Sequence, residues 1–133
     1  MDNNLNNPII YFFAKSNDIY FSKFEKAKYF LDKYQINNSN VYYDIYKRNN
    51  LKFKNKLTKI LLSYSNVDLC ILSITDLGRS MTDLLNIMKL CNEKKIRIFN
   101  FERNQFFDIK MFLVFADEQQ KIISKQMEQS LWL

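Results

Sequence analysis

The chain has no histidine, which removes Ser-His-Asp and Cys-His catalysis and every His-ligated metal site. Two stretches nevertheless set a hydroxyl beside a cation directly after an apolar run. Lys15-Ser16-Asn17-Asp18 follows Pro8 to Phe13 (PIIYFF), and Thr75-Asp76-Leu77-Gly78-Arg79-Ser80 follows Asp68 to Ile74 (DLCILSI). An arginine beside a helix start offers a bidentate donor for phosphate, next to N–H groups that lack partners inside the helix. Each residue also has a plainer reading. Ser16 caps the helix that follows, Arg79 is a solvated first-turn residue, and Gly78, the chain's only glycine, takes a positive φ between strand and helix.

These residues need a scaffold, and the patterning supplies one. The PIIYFF run reads as a strand buried on both faces. Tyr20, Phe24, Ala27, Leu31 and Tyr34 follow at helical spacing and form one apolar face. Asn37 to Asn40 is a loop, and Val41 to Tyr46 (VYYDIY) is a second strand. A basic, glycine-free connection, Lys47 to Lys56, leads to a helix marked by Leu57, Ile60, Leu61 and Tyr64. DLCILSI is the strongest strand. Ser80 with Asp83 resembles a capping box ahead of a helix through Met81, Leu84, Leu85, Met88 and Cys91. Ile96 to Phe101 is a further strand, and one long helix is predicted from Phe107 to about Gln129.

Alternating strands and helices predict an α/β fold. We expect a mostly parallel sheet of four to five strands, helices on both faces and a long C-terminal helix. Ligands of such sheets gather outside the carboxyl ends of the strands, which brings Ser16, Lys15, Arg79 and Lys54 toward one rim.

With 133 residues, the chain is long enough for one domain with a real core. We read residues 1–7 as a polar leader and 8–133 as a single domain. The formal charge of +6 permits a polyanionic partner, although the scattered lysines also fit a simple Asn/Ile/Tyr/Lys compositional bias. Cys70 and Cys91 sit in separate apolar runs and read as buried free thiols of a reducing compartment. No signal peptide or membrane-length apolar run is present, so a cytoplasmic location is expected, with no membrane partner.

The run Asp68 to Leu85, DLCILSITDLGRSMTDLL, resembles the catalytic-domain core of the serine recombinases, the resolvase and invertase family. There a strand leads into a D-R-L-G-R-S segment and then a helix beginning x-x-D-L-L. Leu57, Ile60 and Leu61 fit the preceding helix and Ile96 to Phe101 the next strand. Phe115 to Ile123 (FADEQQKII) is similar to the start of the family's long helix, of the form A-x-x-E-R-x-x-I. The likeness spans roughly Pro8 to Gln129.

The resemblance implies a resolvase-like fold and a DNA recombinase that cuts and rejoins strands through a covalent phosphoserine linkage. Ser16 would be the nucleophile. Arg79 would match the second arginine of D-R-L-G-R, Lys54 would be the nearest cation to the arginine before the second helix, and Glu118 would match the long-helix glutamate. Lys15 and Asp76 complete the expected catalytic set. The implied partners are the DNA phosphodiester backbone and further copies of the chain, as a dimer or tetramer through the C-terminal helix. Neither a cofactor, a metal nor a small-molecule substrate is expected.

The departures carry as much information. The family's nucleophile loop reads like Y-A-R-V-S, whereas this chain has Phe12-Phe13-Ala14-Lys15-Ser16. Asp76 stands where an arginine belongs, or marks its deletion, and Gln119 follows Glu118 in place of arginine. The family's helix-turn-helix DNA-reading domain would begin where this sequence stops, at Leu133. A second reading is therefore a catalytically degenerate recombinase-like protein that acts in DNA-associated regulation or oligomerisation. A third, a flavodoxin-like or response-regulator-like domain, is disfavoured because the loop after the first strand is neither Gly/Ser/Thr-rich nor acidic.

Overall fold

Strand β1 (Pro8–Ala14) lies inside the sheet, and from Ile9 onward every residue is buried. Its side chains alternate between two cores. Ile9, Tyr11 and Phe13 face one side, with Leu69 and Ile71 of β3 (Asp68–Ile71). Ile10 and Phe12 face the other, with Cys70 and Leu72. Two covered faces explain why these strands read as unbroken apolar runs instead of alternating ones. The computed structural model describes residues 5–46 and 54–131, and all of their side chains except those of 124 and 127–131. Most of the basic connection, including Lys47-Arg48, lies outside the described residues.

Helix α1 (Asn17–Tyr34) covers the second core through Ala27, Leu31 and Tyr34. Helices α2 (Asn55–Ser63) and α3 (Met81–Lys94) cover the first through Leu57, Ile60, Leu61, Met88 and Cys91. The sheet also contains β2 (Val41–Ile45), β4 (Arg97–Asn100) and the two-residue β5 (Gln105–Phe106), in the order β2-β1-β3-β4-β5. All neighbours pair in parallel except β4 and β5. The α/β architecture with a mostly parallel sheet is as expected, with β5 as the fifth strand. Cys70 and Cys91 are buried free thiols in opposite cores. Burial pushes the Cys91 thiol up to about 12, so it stays protonated and unreactive near neutrality.

Three details differ from the sequence reading. Strand β3 stops at Ile71, and the chain then winds into a 3-10 turn, Ile74–Asp76. A complete capping box forms there, between Ser73 and Asp76. At the start of α3 only half of one forms, with Ser80 Oγ accepting from the Asp83 N–H at 3.1 Å. Gly78 is the third. It is not in the positive-φ region; a Cβ there would lie 2.9 Å from the Cβ of Asp83. Glycine is needed so that the loop can pass close under the first turn of α3.

Helix α4 (Ile109–Leu131) starts at Asp108, whose carboxylate accepts from the Met111 N–H at 3.0 Å. Ile109, Phe112 and Leu113 pack on the first core and Ala116 is buried. Met111, Val114, Phe115, Ile122 and Ile123 are exposed. No described helix is long and apolar enough to cross a membrane.

Candidate functional site

β1 sits between β2 and β3. The chain leaves β1 toward α1 on one face of the sheet and leaves β3 toward α3 on the other. The two exits diverge and open a crevice at the carboxyl ends of the strands, the usual ligand position in such sheets. A cleft of about 500 Å³ lies there, lined by Phe13, Lys15, Tyr46, Lys54, Thr75, Arg79 and Asp83. Three of the sequence-predicted residues, Lys15, Lys54 and Arg79, thus meet around one space.

Lys54 is the innermost of these cations. Its Nζ donates to the Leu77 carbonyl at 3.0 Å and lies 5.0 Å from the centre of the Phe13 ring. Partial burial lowers its pKa; Asp83 and Asp76 pull it back up, and Arg79 lowers it further. Lys15 and Arg79 are exposed. Among the described residues, neither has a carboxylate within salt-bridge range.

Ser16 follows Lys15 directly and is the N-cap of α1, its Oγ accepting from the Ile19 N–H at 3.3 Å. The residue is exposed and stands beside the cleft lining without being part of it.

Asp76 has a different environment. It is fully buried, and its Oδ1 accepts from the Phe13 N–H at 3.0 Å and from Lys23 Nζ at 2.6 Å. Its Oδ2 accepts from the Ser73 N–H at 3.1 Å. Lys23 also donates to the Phe13 carbonyl at 2.7 Å. The carboxylate thereby ties the end of β1, the 3-10 turn after β3 and α1 into one unit, and faces no open space. Glu118 is not brought to the cleft. It is exposed on α4, 3.9 Å from Lys121, and does not line the cavity.

Several residues that shape the site were not singled out from sequence. Asp44 accepts from Tyr11 Oη at 2.8 Å and from the Lys56 and Leu57 N–H groups at 3.0 to 3.2 Å. It caps α2 from the end of β2 and so fixes the helix start beside Lys54. The available signal was a lone acid inside the apolar run VYYDI. Lys23 and the cleft positions of Asp83 and Tyr46 had no comparable signal. Among the described residues no three His, Cys, Asp or Glu side chains assemble into a metal site.

Chemically, two ammonium groups and one guanidinium around a single crevice can neutralise a phosphodiester and the extra charge of its transition state. Lys54, already hydrogen bonded, would act mainly as a fixed point charge.

No family model matches the chain, and no curated protein matches it by sequence. Solved structures do match. The N-terminal catalytic domain of TP901-1 integrase is 15% identical with a TM-score of 0.60, covering 93% of this chain and 98% of that one. A resolvase family site-specific recombinase from Streptococcus pneumoniae is 13% identical with a TM-score of 0.57, covering 94% of this chain and 95% of that one. Over nearly its whole length, the chain has the fold of serine recombinase catalytic domains.

Proposed function

We propose that this chain is a serine-recombinase-type catalytic domain that holds a DNA phosphodiester at the carboxyl-end cleft and attacks it with Ser16. The observation that carries this reading is the meeting of Lys15, Lys54 and Arg79 around one crevice, with an exposed serine hydroxyl next along the chain. The Ser16 Oγ–phosphorus bond forms as the bond from phosphorus to the 3′ oxygen breaks. The serine proton ends on the departing 3′-hydroxyl, and the reverse reaction rejoins the strand. Lys15 and Arg79 hold the non-bridging oxygens and Lys54 adds charge from the floor. Asp76 holds the two loops in register without touching substrate, and Glu118 belongs to the helix that we assign to subunit contact.

The test is covalent adduct formation on supercoiled DNA carrying a candidate site. The adduct should form with the unaltered chain and vanish in Ser16→Ala. That variant loses only an N-cap, about 1 kcal/mol, so its fold can be verified by circular dichroism. An adduct that persists in Ser16→Ala rules out this nucleophile.

A second reading, a DNA-associated regulatory or oligomerising protein without catalysis, is favoured by Asp76. The resemblance expects an arginine at or directly beside this point, and the aspartate found here is buried and hydrogen bonded. Each lost oxyanion donor typically lowers rate by about 100- to 1,000-fold, and Ala14 and Gln119 remove further arginines. DNA binding with no adduct, by a chain that assembles normally, selects this reading.

Under both readings the apolar surface of α4, with Val114, Phe115, Ile122 and Ile123 exposed, is the contact between copies in a dimer or tetramer. Sedimentation at micromolar concentration should show at least a dimer; a monomer would overturn the assignment.

A further inference from the structure

The cleft is much larger than a phosphate requires. Its volume of about 500 Å³ falls within the range of small-molecule pockets. Its lining also offers more than an anion uses. Asp83 contributes a carboxylate, which repels phosphate, and Phe13 and Tyr46 contribute aromatic surface. Tyr46 is 46% exposed, and its backbone is held by a 2.9 Å hydrogen bond from its N–H to the Ala14 carbonyl. The backbone of Asp83 is held as well, since its N–H is bonded to Ser80 Oγ and its Cβ lies close over Gly78.

From this combination we infer that the cleft takes one unpaired nucleotide of a DNA strand. Its phosphate lies on Lys15 and Arg79, its base lies against Tyr46, and Asp83 accepts a hydrogen bond from an exocyclic amino group. A ring that stacks on tyrosine binds whatever its sequence. A carboxylate discriminates among bases, because it accepts from the N4 amino group of cytosine but faces two flanking carbonyl oxygens at the N3–H of thymine. The site therefore prefers cytosine to thymine. The inference rests on the DNA reading above and extends it from phosphate to base.

The test uses the full chain with fluorescently labelled twelve-residue oligo-dC and oligo-dT and a blunt mixed-sequence duplex at low salt, read by anisotropy. Oligo-dC should bind at least about fivefold tighter than oligo-dT. Tyr46→Ala should weaken oligo-dC about tenfold, the loss of one stacking contact, and duplex binding by less than about twofold. Tyr46→Phe should retain oligo-dC binding. Asp83→Asn keeps the Cβ contact and should bring the dC to dT ratio close to one. Equal affinity for the two oligomers, or equal loss of strand and duplex binding in Tyr46→Ala, overturns the base site while leaving the phosphate site standing. Failure of every DNA to bind removes both. Deoxycytidine monophosphate that matches oligo-dC in affinity would make the ligand a free nucleotide and overturn the strand assignment.

Discussion

Both ends of the sheet contain a buried aspartate, and the two are neutralised differently. At the amino end of β3, Asp68 receives Nε and Nη2 of Arg97 at 2.8 and 2.7 Å and the Asn6 N–H at 2.7 Å. The guanidinium also lies 4.2 Å from the centre of the Phe106 ring. At the carboxyl end Asp76 is paired with a lysine, Lys23, and the nearby guanidinium of Arg79 has no carboxylate partner among the described residues. One end uses the fork geometry of arginine to close the structure. At the other a lysine provides the structural pairing and arginine remains available at the rim. Charge composition cannot distinguish these uses; the position of each partner does.

Stability measurements sharpen the contrast. Removing the buried partner at the carboxyl end should have the largest effect. Asp76→Ala leaves the Phe13 and Ser73 N–H groups without their acceptor and the Lys23 ammonium without its carboxylate. A loss of about 3 kcal/mol is expected, read as a lowered urea midpoint. A loss below about 1 kcal/mol would mean that the loops hold together without it. Arg97→Ala should cost less, about 2 kcal/mol, because its side chain is 47% exposed and water already screens part of the pair. If Arg97→Ala proved the more damaging, the amino end would be the principal clamp.

Gly78→Ala comes next. The new methyl group would sit 2.9 Å from the Asp83 Cβ, so the first turn of α3 must shift, at about 1 to 2 kcal/mol. Because φ is ordinary there, no left-handed backbone penalty is added. An unchanged midpoint would show that the helix start moves freely, and would undo the argument that Asp83 is fixed.

Much of this arrangement was legible in the sequence, and the limits have physical causes. The runs PIIYFF and DLCILSI gave their strands because burial on both faces leaves no polar interruption, and strand alternation with helices gave the rim where Lys15, Lys54 and Arg79 meet. The role of Gly78 is not legible in the sequence because a single glycine carries two signals, backbone freedom and absence of a Cβ, and only packing decides between them. The motif position of Asp76 points to the rim. Its burial depends on Lys23, 53 positions away in sequence, and such a pairing leaves no local pattern. Two-residue β5 was too short to carry a period.

The smallest effect on stability should come from Arg79→Ala, and it tests the comparison most directly. The side chain is exposed and lacks an ion-pair partner among the described residues, so the urea midpoint should correspond to a change within about 0.5 kcal/mol. If Arg79 is available for phosphate, the same substitution should weaken duplex binding and lower the slope of log affinity against log salt by about one. Lys54 supplies an internal check on that slope. Burial lowers its pKa, so its contribution should fade at a lower pH than that of an ordinary lysine, and the slope should fall there in the unaltered chain. An Arg79→Ala chain that loses stability but retains its salt slope would place this arginine in the same structural role as Arg97, and the two ends of the sheet would no longer differ.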